Sequence, residues 1–204
     1  MGILPDYHGV LCHDHWSSYY NYACLHALCI AHNLRELLFA FEEDNQKWAK
    51  EMHDFLTNLN IEVRKSEENC LSKTKVENRL KTYREILAHG DKECAPPIKN
   101  EKTRGRQKKS KSRNLLERLI KFEEETIWFM KEDVVSFTNN QGENDLCMTK
   151  VHQKVSGCFR SLEGAQTFCR IRGYLVTCRK NGVSPTDALR LLLEGKLPEF
   201  IKSS

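Results

Sequence analysis

Two carboxylates stand in settings where an acidic side chain could do chemistry. Asp14 follows Gly9-Val10-Leu11-Cys12, which reads as a short apolar strand, and sits in the polar and aromatic cluster His13-Asp14-His15-Trp16. A carboxylate just beyond a buried strand lies at a sheet edge, where ligands commonly bind. Glu143 falls in the first turn of an expected helix, after Asn139-Asn140. Oxygen ligands from separate elements can converge on Mg²⁺, which takes carboxylates, waters and substrate phosphate. A pair of such ions activates an attacking oxygen and stabilises a leaving one. Each residue also has an ordinary reading. An Asp after a strand is commonly a turn residue, and a Glu at a helix N-terminus complements the helix dipole.

Cys24, His26, Cys29 and His32 form a second group of potential ligands. Cysteine and histidine bind zinc, but this spacing is not that of a standard finger and no second pair follows at the usual distance. The plainer reading has Cys29 packed inside and His32 near the site as a polar neighbour. The nine cysteines are odd in number and scattered, unlike a dense disulfide framework. A reducing compartment is expected.

Basic residues are clustered, although the net charge is only +4. Lys99, Lys102, Arg104, Arg106, Lys108, Lys109, Lys111 and Arg113 crowd after Pro96-Pro97, opposed only by Glu101. This reads as a mobile basic loop, either merely solvated or touching DNA backbone, where bound cations release counterions. Lys150, Lys154, Arg160, Arg170, Arg172, Arg179 and Lys180 add charge after Glu143. Arg170 and Arg172 cannot share one helix face.

The elements that must position these residues read as mostly helical. The run Ala27-Leu28-Cys29-Ile30-Ala31 suits a second strand or a buried helical turn. Asn33 looks like an N-cap. Leu34, Leu37, Leu38 and Phe41, then Trp48, Met52, Phe55, Leu56 and Leu59, follow helical spacing, as if in one long helix. Another helix is expected from Val76 to Leu87, stopped by Gly90. Further helices are expected from Asn114 to about Met130 and from Gln141 to about Met148. After a break at Gly157, Leu162 to Cys178 should bury Ala165, Phe168, Ile171 and Leu175. Ser184 should cap a last helix, Pro185 to Leu193, beyond the Asn181-Gly182 turn. Residues 133–138 read as short and extended or exposed. No apolar run approaches the roughly 20 residues of a membrane span, and Met1–Asp6 lacks the features of a signal peptide.

Several ordered blocks resemble the insertion sequence 66 family of DDE-type transposases. The stretch from Thr138 to Arg160, with Asn139-Asn140, Glu143, Lys150, Lys154, Ser156, Phe159 and Arg160, is similar to that family's N-N-x-A-E-R-x-L-R followed by K-x-x-x-K-x-S-x-x-F-R. Glu163-Gly164-Ala165 and the run Tyr174 to Arg179 also fit. Leu4 to Tyr19 matches a block with an aspartate before an aromatic and a later tyrosine. Cys29, Ala31, His32 and Arg35 match C-x-A-H-x-x-R. The matches run from about residue 4 to 195 and are weakest over 45–105.

The resemblance implies an α/β fold: an incomplete ribonuclease-H-like core with a large helical insertion, mostly helical in this chain. It implies core strands in 1–32, a helical insertion in 33–113 with the basic loop 99–113, and a C-terminal helical part in 114–204 carrying the third acidic motif. Three carboxylates of that family bind two Mg²⁺ ions. Asp14 matches the second acid and Glu143 the third, each a metal ligand. The first acid is expected on a strand before residue 1, with a DNA-binding region further upstream. The resemblance thus implies a truncated DNA cleavage and strand-transfer enzyme, inactive alone. The alternative is a non-catalytic DNA-binding protein that regulates an intact transposase. The expected DNA contacts are Lys102, Arg104, Arg106, Lys108, Lys109, Lys111, Lys150, Lys154 and Arg160. Expected partners are insertion-element ends, intact transposase or the element's accessory proteins, in the bacterial cytoplasm at the nucleoid. Three positions depart from the pattern: Gly142 replaces alanine, and Asn144 and Cys147 replace arginines that would suit phosphate.

Overall fold

The computed structural model describes residues 4–96 and 109–202. The chain forms two compact units, Met1–Asn139 and Asn140–Ser204.

In the first unit, β1 (Val10–His13) pairs in parallel with β2 (Leu25–Leu28), in the register Val10↔Leu25 to His13↔Leu28. A 3₁₀ turn, Ser17–Asn21, crosses between them. Both strands therefore end on the same side, at Asp14 and Cys29. The sheet has these two strands among the described residues.

The apolar run 27–31 is divided between the two readings open to it. Leu28 ends β2, Cys29 caps the next helix, and α1 (Ile30–Glu42) begins at once. The Ile30 N–H, which has no partner within the helix, donates to Phe137 O at 3.0 Å. Asn33 is not the expected N-cap. It lies inside α1, 3% exposed, and its Oδ1 accepts from Arg118 Nη2 at 3.2 Å.

The expected single long helix is two, α1 and α2 (Lys47–Lys65), packed on each other. The break falls at Asn45, whose φ of 53° is left-handed, a conformation that asparagine tolerates better than most residues. The exposed N-terminus of α2 is capped from elsewhere. Glu93 accepts from Lys47 N (2.8 Å) and Trp48 N (3.0 Å) with its two oxygens.

Glu93 ends α3 (Lys73–Glu93), which overruns the stop expected at Gly90. A Cβ on Gly90 would come within 2.8 Å of Trp48 Cδ2 and 2.9 Å of Leu116 Cδ1. Gly90 thus serves close packing against a tryptophan rather than helix termination.

The expected helix over 114–130 is broken at Phe122 (φ −113°, ψ 42°) into α4 (Lys111–Lys121), α5 (Glu123–Ile127) and a 3₁₀ turn, Trp128–Met130. Ser110 caps α4 by accepting from Arg113 N at 3.1 Å. The core gathers fully buried Trp48, Met52, Leu56, Tyr83, Leu115, Leu116, Leu119, Ile127 and Met130. Burying such side chains contributes roughly 1.5–3 kcal/mol each before entropy is counted. The Tyr83 hydroxyl donates to Leu119 O at 2.9 Å. The segment after the core is not wholly exposed, because Val135 is buried and Val134 is 72% exposed.

The second unit contains α6 (Asn140–Ser156), α7 (Leu162–Lys180), α8 (Pro185–Leu193) and α9 (Glu199–Lys202). α6 runs two turns beyond its expected end. Ser161 and Ser184 cap α7 and α8 through Gly164 N and Asp187 N. Tyr174 ties α7 to α8, its hydroxyl donating to Ala188 O at 2.9 Å. The expected inward face of α7 is only partly formed. Ala165, Phe168 and Leu175 are half-buried, but Ile171 is 49% exposed. No described helix is long and apolar enough to cross a membrane.

Candidate active site at the ends of the parallel strands

Asp14 stands one residue past β1, exposed, at the carboxyl edge of the sheet. Its Oδ1 accepts the N–H of Trp16 at 3.2 Å, which folds the chain back over the strand end. His15, between them, adopts φ 71°. That left-handed conformation is costly for a residue with a Cβ and is held here by surrounding contacts.

Those contacts come from a histidine and tyrosine cluster beneath Asp14. His13 is 2% exposed. Its Nδ1 accepts the His15 N–H at 3.1 Å, so its ring proton sits on Nε2, which lies 3.2 Å from His26 Nδ1. Burial first, and the neighbouring His26 second, push the His13 pKa down to about 4. His13 is therefore a neutral spacer at neutral pH. His15 is shifted down too, by burial first and then by the Arg118 guanidinium. Burial raises Tyr20 to about 12, so its hydroxyl keeps its proton, and it shares a hydrogen bond of 2.8 Å with His15 Nδ1. Phe122, at the break after α4, closes the cluster with its ring 4.4 Å from His15 and 5.3 Å from Tyr20.

The second strand end is fastened as firmly. Cys29 N donates to His13 O at 2.8 Å, and the Cys29 sulfur accepts the Asn139 N–H at 3.1 Å. Cys12 lies 4.0 Å from Ser136 O, and burial pushes its thiol up to about 12. These contacts draw residues 136–139 along the ends of both strands. Asn139, which opens the third acidic motif, is thus held beside the β2 end. Glu143 lies four residues on, in the first turn of α6, in the second unit.

Cys24, His26, Cys29 and His32 do not converge as a set of four among the described residues. His26 is engaged with His13, and Cys29 with Asn139. The bland reading of Cys29 fits, since it is buried. As for divalent ions, the exposed carboxylate of Asp14 at a strand end is a hard oxygen donor of the kind Mg²⁺ takes.

Of the expected DNA contacts, Lys102, Arg104, Arg106 and Lys108 lie outside the described residues. The end of the basic run has partners within the chain, and only its last member, Arg113, is buried. Lys109 Nζ donates to Glu117 Oε1 at 2.6 Å. Lys111 Nζ lies 4.7 Å over the Phe39 ring. The Arg113 side chain, 10% exposed, spans Asp91 (2.7 Å) and Glu117 (3.0 Å) and also donates to Cys94 O. Hydrogen bonds from Lys109 and Arg113 hold Glu117 below the usual carboxylate range. In the second unit Lys150, Lys154 and Arg160 are exposed, the two lysines one turn apart on α6. Lys180 instead pairs with Asp145 at 2.5 Å, whose carboxyl it lowers.

The sequence flagged His13, Asp14, His15 and Trp16 as one polar and aromatic cluster but not the partners of that cluster. Tyr20 was within reach of a local reading, five residues on. Phe122 was not, because its part depends on a helix break and on tertiary packing.

Residues 1–167 match the model of the transposase IS66 family. No curated protein matches the chain, and no solved structure does.

Proposed function

We propose, from the chain's place in the IS66 transposase family, to which the match over residues 1–167 shows that it belongs, that these residues carry two of the acidic groups of a DNA strand-transfer site. Asp14 is the second carboxylate and Glu143 the third, on a ribonuclease-H-like core extended by helices. The observation that carries this is the clamp on Asn139. The Cys29 thiol holds Asn139 at the edge where Asp14 emerges. Four peptide steps can span at most about 14 Å, so chain length alone keeps the Glu143 backbone within that distance of Asn139.

Mg²⁺ held by Asp14 and Glu143 would polarise a phosphodiester oxygen. The chain's own residues have simpler tasks. The neutral His13 supports the turn that presents Asp14, and Lys150, Lys154 and Arg160 bind phosphate. Two divalent ions close together need several negative ligands to offset their repulsion. Two carboxylates suit a single ion plus waters. We therefore read the 204 residues by themselves as inactive in cleavage. Asn144 and Cys147 sit where the resemblance expects arginines, which supports a second reading, a DNA-binding regulator of complete transposase.

The test is a cleavage assay on DNA carrying the element's own ends, with Mg²⁺ or Mn²⁺, beside Glu143→Gln. No cleavage, together with salt-sensitive DNA binding, is expected. Metal-dependent cleavage lost in Glu143→Gln would keep the site but overturn the reading of these residues as inactive by themselves. Absence of DNA binding would sink both readings.

A further inference from the structure

We infer that Trp16 is a stacking platform for an unpaired nucleobase next to Asp14, an inference that rests on the DNA-processing role proposed above. Trp16 is 64% exposed. An exposed indole offers a large, rigid aromatic face, and bases stack on such faces without regard to sequence. This one is also held in place. Its backbone N–H donates to Asp14 Oδ1 at 3.2 Å, which fixes the main chain there, and its ring stands edge-on to Tyr19 at 5.9 Å. Tyr19 in turn packs on the buried His13 at 5.0 Å. The indole is thus braced beside the candidate metal ligand, two residues away.

The charge around it suits a nucleic acid strand. Lys121 Nζ lies 5.0 Å over the Phe122 ring, which packs 4.4 Å from His15. Arg118 is held by Glu36 at 2.8 Å, which leaves Lys121 as the cation for a backbone phosphate. An aromatic face with a nearby cation is the pairing that binds single strands without reading their sequence. The occupant is therefore a base lifted out of, or lying beyond, the duplex. A paired base would offer no open face to the ring.

Trp16 can be followed spectroscopically, because Trp48 is fully buried and Trp128 is half-buried. The full chain is titrated with a labelled DNA duplex bearing a short single-stranded overhang, and with the same duplex blunt-ended. Binding is read by anisotropy and stacking by quenching of tryptophan emission. Trp16→Phe should abolish most of the quenching while retaining much of the affinity. Trp16→Ala should weaken the overhang complex by roughly five- to a hundredfold, the span of one lost stack, and leave the blunt complex nearly unchanged. Circular dichroism and the unfolding midpoint should stay unchanged in both variants. Equal affinities of wild type and Trp16→Ala for the overhang, with salt-sensitive binding intact, would overturn the platform while leaving the DNA role standing. No binding of either DNA would remove both.

Discussion

The Nε2 of His13 lies 3.2 Å from the Nδ1 of His26, and only one of these rings can supply the proton between them. Because His13 Nδ1 already accepts the His15 N–H, the donor is His13. Protonating His13 at Nδ1 would break that bond and put a charged ring against His26. The folded pKa, about 4, lies below the ordinary value of 6.5. Between those values the unfolded chain binds more protons than the folded one. Stability should therefore fall as pH drops from about 6.5 to 4, by up to roughly 2–3 kcal/mol, and this contribution should level off below pH 4. Urea unfolding in EDTA at pH 7 and pH 5 should show a smaller pH difference for His13→Gln than for wild type.

Gly90 gives a packing prediction. Gly90→Ala adds a methyl where Trp48 and Leu116 stand within 3 Å. Despite alanine's better helix propensity, overpacking should dominate and cost about 1–3 kcal/mol. Alanine at Gly173, mid-helix in α7 with open space around it, should instead be neutral or stabilising. A stabilised Gly90→Ala would show that the α2–α3–α4 packing is looser than described.

The buried end of the basic run makes a third prediction. Arg113→Met should lower stability by about 1–2 kcal/mol, discounted because Asp91 and Glu117 are partly exposed. Its salt dependence of DNA binding should be unchanged. The combined Lys150→Gln, Lys154→Gln and Arg160→Gln variant should do the reverse. It should reduce the slope of log affinity against log salt by roughly 2–3 and leave the unfolding midpoint near wild type. An unchanged slope would show that α6 does not carry phosphate contacts.

Element types were largely legible in the sequence, and their ends were not. Leu37, Trp48, Met52, Leu56 and Leu59 announced helix by their spacing, but the break between Leu37 and Trp48 rests on one left-handed asparagine. Gly90 and Asn33 misled for the same reason. Each has a local role as a stop or a cap, and each was overridden by a distant partner, Trp48 in one case and Arg118 in the other. The position of Asp14 just past a strand was readable because a short apolar run has a local signature. The brace beneath it was not, since Phe122 and His26 reach it through tertiary packing alone. Lys109 and Arg113 looked like free cations because pairing with Glu117 and Asp91 leaves no local trace.

The central claim is that Asp14 and Glu143 hold one metal ion together. Mn²⁺ binding by electron paramagnetic resonance on the 204-residue chain tests it, with Asp14→Asn, Glu143→Gln and the double variant in parallel. The account predicts one weak site, lost nearly completely in either single variant, with the double variant no worse. Two shared ligands of one ion must be non-additive in this way. Undiminished Mn²⁺ binding in either single variant, or losses that simply add, would contradict it.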